Sequence, residues 1–273
     1  MSMIKTLLAT GLLPALMLGV GIVQADDIRD AILKAADNET GGEYVRTRYL
    51  QLAKVPFDSQ DSRKKALIIG DSHAQDFLNA VLEQGALNHY QIRTRYLPNV
   101  CQLYLGDEDV SAFIEEKNKA LCAEADNLQQ AKTQIAEADL VMIVASWKDW
   151  SAERLPTTIK NLELKPEQTL RVLGRKSFGK INVRNYLRQP EATLPTLRNP
   201  VDEHQSAINQ TLRSKLDPSI FIDIHQLVCG EGDTCPLFTP DLRLISFDGG
   251  HLTPDGAKYV GKLLFTSPLL ADL

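Results

Sequence analysis

Ala66-Leu67-Ile68-Ile69-Gly70-Asp71-Ser72-His73 is the stretch on which the fold turns. Four apolar residues in a row read as a buried strand. Gly70 then permits a tight bend, and Asp71-Ser72 opens a helix over Ala74–Ala86 with Phe77, Leu78, Val81 and Leu82 on its inner face. Outward from this unit, strand and helix signals alternate. Gln91–Leu97 is a second strand and Leu140–Ala145 a third, apolar on both faces as a central parallel strand should be. Leu170–Leu173 and Ile220–Ile224 complete five strands. Helical segments fall within 109–137, where Leu128, Ala131, Ile135 and Ala138 form one stripe, and over Asp202–Leu216 and Thr253–Leu264. Such alternation predicts a parallel sheet with helices on both faces, and active sites in such folds lie at the carboxyl ends of the strands. Ser72 falls at that end.

A serine nucleophile needs a base, and the base needs an orienting acid. Asp248-Gly249-Gly250-His251 supplies both, just before a helix start signalled by Thr253 as cap and Pro254 as first turn. His251 is the expected base and Asp248 its orienting partner. Ser72 N–H, at a helix N-terminus, is the expected oxyanion donor. Taken singly, these residues have bland readings: Asp71-Ser72 as a helix cap, His251 as a loop residue. His225 is a rival base with a structural reading at the end of strand five. A metal held by Asp71, His73, Asp248 and His251 is the lesser alternative to the serine triad.

The N-terminus reads as a secretory signal. Lys5 is the sole charge before Asp26, Leu7 to Val23 is apolar, and Val23-Gln24-Ala25 places small residues for cleavage after Ala25. An uncleaved membrane anchor is the alternative. Removal of residues 1–25 leaves 29 basic against 35 acidic residues, a charge of −6 over 248 residues. That balance argues against a general nucleic-acid binder. Four cysteines in an exported chain predict the local disulfides Cys101–Cys122 and Cys229–Cys235, since short loops close at lower entropic cost than crossed pairs. No Cys-x-x-Cys occurs, and too few histidines lie nearby for structural zinc. Residues 26–65 read as a helical extension and linker, with Ile28, Ala31, Ile32 and Ala35 on one face, before a domain over 66–273.

The Gly-Asp-Ser block after the first strand and the Asp-x-x-His block at the last helix together resemble the SGNH hydrolase superfamily. Gly-Asp-Ser-His, Cys101 with Cys122, Ala145-Ser146-Trp147, and the run from Asp223 through Cys235 to Gly256-Ala257 narrow the likeness. They resemble SGNH domains attached to, or partnered with, membrane acyltransferases that O-acylate bacterial surface glycans. The likeness covers roughly residues 66–265. It implies a three-layer α/β/α sandwich with a flavodoxin-like sheet. It also implies a periplasmic or secreted serine esterase or O-acyltransferase acting on acetyl groups of a cell-envelope polysaccharide. A membrane acyltransferase is the implied acyl-donor partner, and no metal or organic cofactor is implied. The superfamily's asparagine after strand three is missing: the position reads Ser146-Trp147-Lys148-Asp149. Asn99 and Gly106 are the nearby candidates for the rest of the oxyanion hole. Trp147 and Trp150 are candidates to stack on sugar, with a packed site wall as the equal alternative for Trp147. Arg175 and Lys176, in the acid-free run from Arg171 to Arg188, are candidates for an anionic group, with a solvated insertion as the bland reading. A non-catalytic glycan-binding or assembly subunit is the alternative class, and a lipase or thioesterase a third.

Overall fold

A computed structural model describes residues 25–273; the signal sequence expected over 1–25 lies outside the described residues but for Ala25. Two helices lead, α1 (Ala25–Ala35) and α2 (Asn38–Gln51), broken where Asp37 caps α2 by accepting from Thr40 N–H at 2.8 Å. Then come β1 (Lys64–Gly70), α3 (Ser72–Gln84) and β2 (Tyr90–Tyr96). The stretch expected to be helical over 109–137 holds two 3₁₀ turns, the short α4 (Lys119–Glu124) and α5 (Leu128–Glu137). β3 (Leu140–Val144), α6 (Asp149–Glu153), α7 (Leu155–Asn161) and β4 (Thr169–Leu173) follow. A less regular part carries α8 (Val183–Tyr186) and β5 (Arg198–Pro200). The chain ends with α9 (Glu203–Lys215), β6 (Phe221–Ile222), α10 (Ile224–Cys229), β7 (Thr234–Pro236), α11 (Pro254–Leu264) and α12 (Pro268–Ala271).

The central sheet is parallel throughout, in the order β2-β1-β3-β4-β6. Alternation along β1 divides its side chains between two cores. Ala66 and Ile68 pack with Phe77 and Val81 of α3 and Val260 of α11 on one face. Leu67 and Ile69 pack with Leu128 and Ile135 of α5 and Ile208 of α9 on the other. Leu67, Ile68 and Ile69 have no exposed surface. Burial of each is worth roughly 1.5–3 kcal/mol, which fixes β1 as the spine of a three-layer α/β/α sandwich. β6 is shorter than the expected Ile220–Ile224, because the Asp223 side chain caps α10 by accepting from Gln226 N–H.

The N-terminal helices join this body. Tyr49 of α2 is fully buried, and its hydroxyl bridges Ile68 O and Arg95 O at 2.9 and 2.8 Å. Ile28 and Ile32 of α1 enter a smaller core with Tyr186, Phe238 and Leu244. Beside that core, β5 and β7 form an antiparallel ribbon that the sequence pattern did not suggest. Cys101–Cys122 and Cys229–Cys235 are both disulfide-bonded, with Cα separations of 5.3 and 4.5 Å. Among the described residues, no helix is long and apolar enough to cross a membrane.

Candidate active site

Gly70 ends β1 where the backbone must pass close to β3. Its φ is +156°, and a Cβ there would overlap Val144 O. Asp71 caps α3 through His73 N–H at 2.8 Å, and Ser72 becomes the first helical residue. As such, its N–H has no intrahelical acceptor and lies at the positive end of the helix dipole. The opposite wall is the loop before α11. Gly249, at φ +94°, brings its carbonyl to Phe178 N–H at 2.8 Å and pins that loop to the chain beyond β4. The loop is tightened by Asp248 Oδ1, which accepts from Gly250 N–H at 2.8 Å and His251 N–H at 2.7 Å.

These turns bring Ser72, His251 and Asp248 into one line. His251 Nδ1 is 2.6 Å from Asp248 Oδ2, and His251 Nε2 is 2.8 Å from Ser72 Oγ. An ionised carboxylate only accepts, so Nδ1 carries the proton and Nε2 accepts from the serine hydroxyl. Burial alone would raise the Asp248 carboxyl, but hydrogen bonds from His251 and Gly250 outweigh it and hold the pKa down to about 2. The Phe247 ring stacks on the imidazole, with centroids 5.9 Å apart. This arrangement can activate a hydroxyl as nucleophile and return its proton to a leaving group.

Beneath the serine the polar side chains are buried. Asp71 is fully buried, and desolvation pushes its pKa up to about 6 against two N–H donors, His73 and Ser146. His73 is buried with Nδ1 unpartnered, and burial depresses its pKa well below the usual value. His225 is also buried and borders a separate cavity of ≈ 360 Å³ that excludes Ser72. Its ring nitrogen lies within 4.8 Å of both Cys229 and Cys235, but those sulfurs are bonded to each other and offer no thiolate for a metal.

The expected oxyanion partners are placed elsewhere. Ser146, in the asparagine position, spends its N–H on Asp71 Oδ2 at 2.8 Å. Asn99 borders a neighbouring cleft rather than the one at Ser72. Gly106 packs against Tyr104 and borders neither cleft. Of the expected donors, only Ser72 N–H lies at the turn that carries the Ser72 hydroxyl.

Two clefts open at this end of the sheet. One, of ≈ 470 Å³, is bordered by Ser72, His251, Phe247 and, from α2, Val45 and Arg46. The other, of ≈ 580 Å³, lies over the ends of β3 and β4 and is bordered by Ser146, Lys148, Trp150, Phe113 and Arg175. Phe113 stacks on Trp150 at 5.3 Å and 13°. Arg175 is half-buried at this rim. Lys176 is a correction: it is buried and ion-paired to Asp76 at 2.6 Å, out of a substrate's reach. Trp147 corrects likewise: it is fully buried, its indole N–H donates to Leu173 O at 2.9 Å, and it is a wall of the core. Sequence reasoning missed Gln102. Its amide donates to Asn99 O and Ser146 O, while its oxygen accepts from Lys148 N–H and Ser151 Oγ. It ties the loop after β2 to the loop after β3. Its only sequence signal is its place beside Cys101.

The family described as "SGNH domain (fused to AT3 domains)" matches residues 44–265. No curated protein matches the chain. Among solved structures, the chain is similar to the Salmonella ser. Paratyphi A lipopolysaccharide acetyltransferase periplasmic domain. The two share 18% identity and a TM-score of 0.55, over 89% of this chain and 97% of that one. At that identity the likeness speaks for the fold.

Proposed function

Because the chain belongs to the family of SGNH domains that occur fused to AT3 domains, we propose that it is a serine esterase or O-acyltransferase acting on acetyl groups of a cell-envelope polysaccharide. The observation that carries this reading is the unbroken line from Ser72 Oγ to His251 Nε2 and from Nδ1 to Asp248. His251 takes the serine proton as Oγ attacks the acyl carbonyl. The carbonyl oxygen becomes an oxyanion beside Ser72 N–H, and Asp248 stabilises the imidazolium. His251 then protonates the departing oxygen, leaving the acyl group on Ser72. Water or a sugar hydroxyl, deprotonated in turn by His251, attacks the acyl carbon; the bond to Ser72 Oγ breaks and His251 returns the proton to that oxygen. The scheme draws on side chains and backbone alone.

The neighbouring cleft suits the sugar. The exposed Phe113 ring, backed by the stacked and largely buried Trp150, offers an apolar face of the kind that packs on a pyranose, with Lys148 and Arg175 beside it for an anionic substituent. The solved relative is a lipopolysaccharide acetyltransferase domain, and the same chemistry is proposed here. Two disulfides suit an extracytoplasmic setting, where a membrane acyltransferase would supply the acyl group.

Capture of Ser146 N–H by Asp71 favours a second reading, a non-catalytic glycan-binding subunit. Loss of one oxyanion donor costs about 10²–10³ in kcat. Turnover of p-nitrophenyl acetate by wild type and by Ser72→Ala decides between them, with fluorophosphonate labelling alongside. Turnover and labelling confined to the wild type support the enzyme. Silence in both assays supports the binding subunit.

A further inference from the structure

What holds two residues 179 apart in sequence at hydrogen-bond distance is a separate question from what they do. Asp76 lies one helical turn beyond Ser72 on the same face of α3. Its carboxylate is fully buried and reaches across to the loop that carries His251. Oδ1 accepts from Leu252 N–H at 3.1 Å, and Oδ2 accepts from Lys176 Nζ at 2.6 Å. Lys176 Nζ in turn donates to Gly250 O. The pair therefore grips the backbone on both sides of His251, at residues 250 and 252, and ties it to the helix that begins with Ser72. Lys176 itself comes from the chain just beyond β4, so three segments meet at one buried charge pair.

A buried ion pair is a costly way to fill a core, since apolar side chains of similar volume often give equal or greater stability. Burial raises the Asp76 carboxyl from its ordinary range, in keeping with that cost. Neither side chain lines either cleft, so neither touches substrate. Both meet the backbone that flanks the base.

We propose that Asp76 and Lys176 are a positioning pair, which sets His251 against Ser72 by clamping Gly250 O and Leu252 N–H to α3. The proposal rests on the triad reading of Ser72 and His251. Small displacements of a catalytic group are expensive: about 1 Å can cost a hundredfold in rate.

The decisive variant is the double replacement Asp76→Leu/Lys176→Met in the whole protein, which removes both charges and fills the space. It is expected to fold, with kcat on p-nitrophenyl acetate lower by about 10–100-fold and KM within about twofold. A second readout does not depend on turnover. The short Nδ1–H···Oδ2 bond of His251 and Asp248 should give a far-downfield proton resonance in wild type and in Ser72→Ala. That resonance should broaden or vanish in the double variant. If a folded double variant keeps both the resonance and wild-type kcat, the proposal is overturned. It is overturned equally if the resonance persists while kcat falls, or if wild type lacks the resonance. If wild type turns over no ester, the functional reading falls and the resonance alone decides the positioning role. Should the double variant not fold, Asp76→Asn decides in its place. It keeps an oxygen for Leu252 N–H and loses the charge for Lys176, and an unchanged resonance in it overturns the clamp.

Discussion

Replacement of Asp248 by asparagine tests the triad at its least ambiguous point. The carboxylate accepts three hydrogen bonds: Gly250 N–H and His251 N–H on Oδ1, and His251 Nδ1–H on Oδ2. Asparagine can satisfy the two backbone donors with its oxygen only by turning its NH₂ toward Nδ1. The flipped amide would set NH₂ against both backbone donors and lose two bonds to save one, at about 1–3 kcal/mol for each donor left unsatisfied. The loop turn therefore survives and the imidazole changes tautomer. Nδ1 becomes the acceptor, Nε2 carries the proton, and Nε2 can no longer accept from Ser72. The expected loss is about 10⁴ in kcat, or about 5 kcal/mol of barrier, with KM little changed. Stopped assays with p-nitrophenyl acetate and the rate of fluorophosphonate labelling both read it. The variant should also lose part of its acid sensitivity. The folded pKa of Asp248 is depressed to about 2 from 3.8, so its stabilising contribution is present above the unfolded pKa and lost as pH falls through about 2. A folded Asp248→Asn protein within tenfold of wild-type kcat would refute the assigned role.

Gly70→Ala places a Cβ on Val144 O at a backbone angle that L-residues rarely adopt, and should cost at least about 2–3 kcal/mol in urea unfolding. Cys101→Ser/Cys122→Ser opens a loop with a sequence separation of 21 and should cost about 3 kcal/mol. Because Gln102 hangs from the same loop, glycan KM should rise in that variant more than p-nitrophenyl acetate KM does. Asp71 works in the opposite pH sense to Asp248. Its folded pKa is raised to about 6 from 3.8, so the stability tied to it is full below the unfolded pKa and is lost as pH rises through about 6. Between pH 4, just above the unfolded pKa, and pH 7 the difference is about 2 kcal/mol, read by unfolding wild type at both beside Asp71→Ala.

The alternation of strands and helices and the covered faces of the sheet were legible because β1 and β3 are continuous apolar runs and α3 and α5 carry clean helical stripes; the flavodoxin-like sheet came only with the family resemblance. The Asp248–His251 turn was legible because its pairing is local. The Asp76–Lys176 pair was not: its members stand 100 residues apart, and each looks like an ordinary surface charge in its own segment. The same blindness placed Lys176 and Trp147 at the rim beside Arg175 and Trp150, and only the latter two border the cleft. Trp147 and Trp150 are three apart, and only the onset of α6 between them decides which one faces the cleft. The β5/β7 ribbon left no mark because its strands are three residues long and carry prolines.

From Asp71 to Ala80 every residue but Ser72 is buried. To an electrophile in solution, this part of the helix is a single oxygen atom. His73 lies one residue from Ser72, its ring 6.3 Å from that of His251, yet it is sealed from reagents. Histidine modification near this serine therefore reports on His251 alone. A covalent probe that enters the cleft has one nucleophile on this helix to find, which makes site occupancy countable by mass without mapping.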